Sequence, residues 1–214
     1  MEYLSLKDHV YNYIVDQINS GKLLAGAKLN ENNICESLQV SRTPVREALI
    51  QLASEGLIDN VPRKGFVIKS LTKQEAEETY FIIGALDGLA ASLAAPLLTE
   101  KHLSEMDFYI QSIDLALNTE NYRMYDKMQE AFHGVYLSVC PNKSLVNLLL
   151  QWEKKFLKNL GENGSQEGLK EKLMQTNNEH RKMLELFKSK DTVELERLLK
   201  EVHWNPEKVE NLPL

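Results

Sequence analysis

Through residue 69 the apolar positions recur at helical spacing and then switch to short β-type runs. Leu6, Val10, Tyr13, Ile14 and Ile18 line one face of a first helix, which the Ser20-Gly21 pair ends. Leu29, Ile34 and Leu38 mark a short second helix that Asn30 can cap, and a tight turn at Gln39-Val40 leads into a third. In that third helix Val45, Ala48, Leu49, Leu52 and Ala53 form one stripe. Ser41 is placed to cap it through its hydroxyl, and Pro44 sits in the first turn, where a missing N–H costs nothing. Arg42 and Arg46 fall off the stripe. Four residues apart, they share a face and, with Ser41 and Thr43, can project into a groove toward guanine edges and phosphate. Gly56 follows as a left-handed C-cap, and runs 57–61 and 66–69 read as strands joined by the turn Pro62-Arg63-Lys64-Gly65. Helix, turn, helix and a basic-tipped hairpin describe a winged helix-turn-helix whose hairpin tip lies over the sugar-phosphate backbone or minor groove.

From Thr72 onward the β signals vanish. Thr72 and Glu75 have capping-box spacing, and the pattern predicts helices near 73–98, 100–118, 121–140, 142–161, 168–189 and 191–204. Pro96, Asn118, Pro141-Asn142, the Gly161 to Gly168 stretch, and Ser189 to Asp191 separate them. Residues 161–165 read as a mobile loop, and the linker between domains is short, around 70–73. The fold class is mainly α: a winged helix-turn-helix with a small β-hairpin wing over 1–71, and an all-α helical bundle over 72–214. Segment 80–98 is apolar except for Asp87 and Ser92. An Asp near the middle of a membrane helix costs about 2.5 to 3.5 kcal/mol, so the segment reads as a buried helix of a soluble protein, with no membrane partner.

Composition agrees with two packed domains. The chain has 214 residues with 43% apolar content, enough for real cores. Its two cysteines, Cys35 and Cys140, lie far apart inside helical patterns, and no basic stretch followed by an apolar core marks a signal peptide. A reducing cytoplasm is the expected setting. The net charge of −6 changes meaning when divided: residues 1–71 hold eight basic and eight acidic side chains, so the whole excess of acid lies beyond them. A neutral head must bind DNA through local placement of Arg42, Arg46, Arg63 and Lys64, and through pairing of two heads as a homodimer on an inverted repeat.

Two stretches carry a family resemblance. The segment Ala25-Gly26-Ala27-Lys28-Leu29-Asn30-Glu31, the run Val40-Ser41-Arg42-Thr43-Pro44-Val45-Arg46-Glu47-Ala48-Leu49 and the triplet Glu55-Gly56-Leu57 resemble the N-terminal domain of GntR-type bacterial transcription regulators. Leu86-Asp87-Gly88-Leu89-Ala90-Ala91, Ala131-Phe132-His133 followed by Asn142, and Asn178-Glu179-His180 followed by Asp191 resemble the all-helical FCD domain of the FadR subfamily. The resemblance implies a double-stranded DNA operator and a small-molecule effector, a small organic acid or related metabolite. It also implies a divalent metal (zinc, nickel or manganese) held by an acidic residue and three histidines.

The residues meet that pattern in part. His180 lies on the stripe Leu169, Leu173, Thr176, Met183, Leu184 and Phe187. His133 follows Phe132, beside Tyr125, Met128, Val135 and Val139, and His203 continues the column of Leu195 and Leu199. Three inward-leaning histidines on three helices can converge on one ion. Gln129, however, stands where the family has its acidic ligand, and Asp126 is nearly two turns from His133. The family's last histidine aligns with Val202, which displaces His203 by about 100° on an α-helix. The family's usual arginine in the first effector-domain helix falls on Ile83. Two readings of the pocket around Gln129, His133 and His180 follow: a metal-bound effector, or an atypical, less acidic effector touching the histidines with no metal. The alternative function class is a metal-dependent enzyme built on the histidine cluster. Against it, the chain has no His-Glu-x-x-His, no Gly-x-Ser-x-Gly and no glycine-rich phosphate loop, and Glu179 beside His180 should point about 100° away.

Overall fold

The computed structural model describes residues 5–19, 22–69, 72–154 and 168–211. The expected end of the first helix at Ser20-Gly21, the first part of the linker, the 161–165 loop and the end of the 142–161 helix lie outside them. The chain divides into two compact units at Thr72 and Lys73.

The first unit begins with α1 (Leu6–Asn19), opened by Ser5, whose hydroxyl accepts from the Asp8 N–H at 3.2 Å while Asp8 accepts from the Ser5 N–H at 3.1 Å. Helices α2 (Glu31–Leu38) and α3 (Arg42–Ser54) follow. Asn30 caps α2 as expected, its side chain accepting from the Asn32 and Asn33 N–H groups at 2.9 and 3.4 Å. Gln39 takes the left-handed conformation (φ 53°) that turns the chain into α3. Val10, Ile14, Ile18, Ile34, Val45, Ala48, Leu49 and Leu52 pack with Phe66 and Ile68 into one core. Leu6 departs from the expectation: at 62% exposure it belongs to a first turn that projects beyond the core. The Tyr11 hydroxyl donates to Glu55 at 2.5 Å and so ties α1 to the end of α3. Strands β1 (Ile58–Val61) and β2 (Gly65–Ile68) pair antiparallel, Ile58 facing Ile68. A third extended segment runs beside β2, with Leu29 N–H donating to Phe66 O and Ile68 N–H to Ala27 O, both at 2.9 Å. Its short Ala-Gly-Ala-Lys-Leu sequence lacks the alternation that would have revealed it.

The second unit is helical: α4 (Lys73–Ala94), α5 (Glu100–Asn118), α6 (Tyr122–Val139), α7 (Lys143–Lys154), α8 (Leu169–Ser189) and α9 (Thr192–Leu198). A 3₁₀ turn at Ala95–Leu97 ends α4 where Pro96 cannot continue it. Helix α9 does not run on as α to residue 204. It widens into a π turn over Leu199–His203, closed by the Trp204 N–H donating five residues back to Leu199 O at 2.9 Å, and a 3₁₀ segment, Pro206–Asn211, follows. Helix α5 packs on α6 and α8, while α4 packs on α9, the π turn and the last 3₁₀ segment. By length and composition residues 73–97 could cross a membrane, but half of the apolar window is buried in the fold. Such burial is what a core helix shows. Both cysteines are free thiols, Cys35 half-buried and Cys140 buried.

Small residues on α4 permit its close approach to the end of the chain. A Cβ at Gly84 would stand 3.0 Å from Trp204 Cβ and 3.3 Å from Lys200 Cα, atoms that no side-chain rotation can move away. Overpacking of this kind costs about 1 to 3 kcal/mol, against a helix-propensity gain from Gly to Ala of about 1 kcal/mol. Gly134 in α6 is exposed, and an added Cβ there would meet nothing within 4 Å. Gly84→Ala should therefore lower the thermal midpoint and Gly134→Ala should raise it. Parallel circular-dichroism melts check this, and the two variants moving in the same direction would refute the packing account.

Candidate functional site

The start of α3 presents Ser41, Arg42, Thr43 and Arg46, all exposed, while Val45, Ala48 and Leu49 of the same helix are buried. Ser41 is the N-cap residue, but its hydroxyl makes no capping hydrogen bond, contrary to expectation. An exposed hydroxyl at the start of a helix can instead reach a phosphate, alongside the first backbone N–H groups. Arg63 and Lys64 are exposed at the hairpin tip and Gly65 is half-buried. The tip turn is closed by Lys64 N–H on Val61 O at 3.0 Å, and Arg63 adopts φ 66° there. Pro62 ahead of a left-handed corner is the signature of a type II turn, where glycine normally stands. An arginine in that place costs about 1 to 2 kcal/mol of backbone strain, and what it gains there is a cation at the tip.

In the second unit the three histidines come together. His133 of α6, His180 of α8 and His203 of the π turn are all buried, and each offers one ring nitrogen within 4.8 Å of the others. The ring centroids lie 5.1 to 5.3 Å apart. The displacement of His203 read from the sequence disappears here, because a π turn holds one residue more than an α turn and rotates the following side chain back. Val202 is only half-buried, and His203 takes the inward place. Gln129 is buried on α6 one turn before His133.

The Nδ1 atom of each ring is engaged from behind. His133 Nδ1 lies 2.7 Å from the Tyr136 hydroxyl, which donates to Asp87 Oδ1 at 2.5 Å. His180 Nδ1 lies 3.3 Å from Asn177 Oδ1, and the Asn177 amide donates to Ile110 O and Asp114 at 3.1 and 2.8 Å. His203 Nδ1 lies 2.8 Å from Glu179 Oε2, a carboxylate that also accepts from Lys208 at 2.6 and 2.8 Å. Nε2 is thus the atom each ring can present to a ligand. Asp87 is fully buried and accepts a second hydrogen bond, from the Trp204 indole N–H at 2.8 Å. Burial alone would push its carboxyl up, but His133, Tyr136 and Trp204 together hold it below the usual carboxylate range. At Glu179 burial prevails over Lys208, and the carboxyl is pushed up.

Sequence reasoning found the histidines and missed the groups behind them. Tyr136 and Asn177 stand three residues from His133 and His180, a helical spacing that was there to be read. Asp87 was visible as a lone carboxylate in an apolar run. Glu179, expected to point away from its neighbour His180, does so, and this is how it reaches His203. No local pattern announced Trp204 and Lys208, which follow the last helix. Three buried imidazoles suit zinc or nickel. The three histidines could hold a divalent metal.

Comparison with known proteins agrees with this geometry. Residues 6–68 match the model of bacterial regulatory proteins of the gntR family, and residues 78–203 match the FCD domain. YdhC of Bacillus subtilis, described as an HTH-type transcriptional regulator, is 31% identical over 141 residues, 65% of this chain and 62% of that protein. The HTH-type transcriptional regulator McbR of Escherichia coli is 33% identical over 116 residues, 54% of this chain and 52% of McbR. These alignments thus span between half and two thirds of the relatives' own lengths. The solved structure of E. coli McbR/YncC superposes with a TM-score of 0.80 at 23% identity, covering 98% of this chain and 99% of that one, which is a likeness of fold. The families matched and the relatives named are regulators, and the enzyme alternative has no support among them. A winged head followed by a helical domain with a buried histidine triad, matched over 6–68 and 78–203, places the chain in the gntR family of bacterial regulatory proteins, in the FadR-type branch that carries an FCD domain.

Proposed function

We propose that the protein is a cytoplasmic, sequence-specific transcription regulator. Its affinity for double-stranded DNA is controlled by a small organic acid or related metabolite bound in the helical domain. The observation that carries this reading is the buried histidine triad, in a chain whose other domain exposes Arg42 and Arg46 on one helix. Effector binding then changes DNA affinity by as much as the effector prefers one arrangement of the molecule over another.

At the DNA end, Arg42 and Arg46 project into a groove, one toward guanine edges and the other toward phosphate, and Ser41, Thr43, Arg63, Lys64 and Gly65 hold the backbone. Replacing Arg42 or Arg46 by Ala is expected to cost about 1 to 3 kcal/mol in operator binding and to relax sequence preference. Lys64→Ala is expected to weaken binding to all sequences alike and to flatten the salt dependence. Fluorescence-anisotropy titrations over a range of salt concentrations test the assignment, and an unchanged salt slope in all three variants would rule it out.

A single neutral head offers few contacts, so the working unit is a homodimer on a short inverted repeat. Footprinting should protect two half-sites on one face of the duplex. A protein monomeric at micromolar concentration that protects a lone half-site is the contrary result.

At the effector end, His133, His180 and His203 hold a divalent ion that would give an effector carboxylate a Lewis-acid contact, with Gln129 in the same pocket. Because a carboxylate ligand is missing, zinc and nickel should bind ahead of manganese, which favours oxygen donors. Gln129→Asp is expected to raise metal affinity and the thermal stabilisation that metal confers. Calorimetry of both forms against zinc, nickel and manganese decides it. Binding by neither form leaves the histidines as direct contacts to an organic effector.

A further inference from the structure

Resting on the metal reading above, we propose that Asp87 is the counter-charge of the histidine triad. It acts through Tyr136 on His133 and supplies from behind the ring the negative charge that Gln129 does not supply at the ion.

Three features of the site lead to this. The first is the direction of the hydrogen bonds. The Tyr136 hydroxyl spends its only proton on Asp87 Oδ1 at 2.5 Å, so toward His133 it can only accept, and His133 must carry its proton on Nδ1. The Asn177 amide nitrogen is turned to Ile110 O and Asp114, which leaves its oxygen facing His180 Nδ1, and the Glu179 carboxylate can only accept from His203 Nδ1. All three rings are therefore fixed as Nδ1–H tautomers with an Nε2 lone pair for a ligand, as metal-binding histidines are held by their outer partners.

The second feature is that the outer carboxylates are not equivalent. Glu179 is neutralised by Lys208 at 2.6 Å, and Asp114, at 41% side-chain exposure, is paired with Arg181. Asp87 is fully buried, and the partners the structure gives it are Tyr136, Trp204 and His133, with His133 Nδ1 3.6 Å from Oδ2. Of the three, it alone faces the triad with its charge unspent on a lysine or arginine in these contacts.

The third is desolvation. In a buried site a carboxylate one ring away acts at low local dielectric, where its charge reaches across the imidazole with little screening. A ligand sphere of three imidazoles without a carboxylate leaves the double charge of the ion to be balanced from outside that sphere. Asp87 is a positioning residue in this account, since it touches no ligand itself.

The test uses the full-length protein and zinc alone. In the metal-free wild type, nitrogen-15 NMR above the titration range of histidine should find all three triad rings protonated at Nδ1. Isothermal titration should then show Asp87→Asn and Tyr136→Phe binding zinc about 10- to 100-fold more weakly than wild type, with the fold checked by circular dichroism. Gln129→Asp should rescue zinc affinity in the Asp87→Asn background by a larger factor than it raises it in wild type. A merely structural role for Asp87 would not produce that excess. Should Asp87→Asn fail to fold, Tyr136→Phe with and without Gln129→Asp gives the same comparison. The proposal is overturned by His133 protonated at Nε2, by wild-type affinity in both variants, or by the same gain from Gln129→Asp in every background. Wild type and Gln129→Asp both failing to bind zinc overturns the metal reading instead, and the NMR result still decides whether the relay orients His133.

Discussion

A carboxylate removed entirely from water constrains the helical domain more than any other group. Leaving such a charge without partners costs about 3 to 5 kcal/mol, so the elements that bring those partners cannot drift. Asp87 stands in the middle of α4, Tyr136 comes from α6, and Trp204 from just beyond the π turn. Three segments far apart in sequence are pinned to one pair of oxygens. Gly84 and Gly88 belong to the same arrangement, because only without a Cβ can α4 lie so close to Glu196, Lys200 and Trp204. The triad inherits this rigidity, since His133 leans on Tyr136 and His203 directly precedes Trp204.

The two domains use charge in opposite ways. In the head, arginines and a lysine stand in water, where single charges are heavily screened and act at short range on a polyanion. The left-handed corner at Arg63 puts one more cation on that exposed surface. Inside the helical domain two charges are instead buried and met within the protein, Asp87 by its donors and Glu179 by Lys208. Salt should act mainly on the first, while packing defects act mainly on the second.

The parts legible in the sequence were those governed by local rules. Helical spacing gave the stripes of α1, α3, α6 and α8, capping chemistry gave Asn30 its place, and the tight turn expected at Gln39-Val40 is there in the left-handed Gln39. The hairpin showed through its turn residues. Where partners come from distant segments, nothing local spoke. The strand-like segment beside β2, the reach of Lys208 to Glu179 and the indole on Asp87 are tertiary facts. Ser41 shows the limit of a local rule that was correctly applied: the residue stands at the N-cap and its hydroxyl does not close the cap. Leu6 shows another, for an apolar residue on the right face still stays exposed when the core ends a turn away.

The π turn at Leu199–His203 separates two notions of equivalence between related proteins. Counted along the chain, the place of the family's last histidine is held by Val202; counted in space, it is held by His203. The one-residue offset that the resemblance implies for His203 falls within a single wider hydrogen-bonded turn, and the ring still reaches the inward place. Surveys that assign ligand sets by sequence column would score this chain as a two-histidine protein, and relatives carrying the same wide turn would be misfiled with it. Hydrogen-bond register, not residue count, is the coordinate in which such sites should be compared.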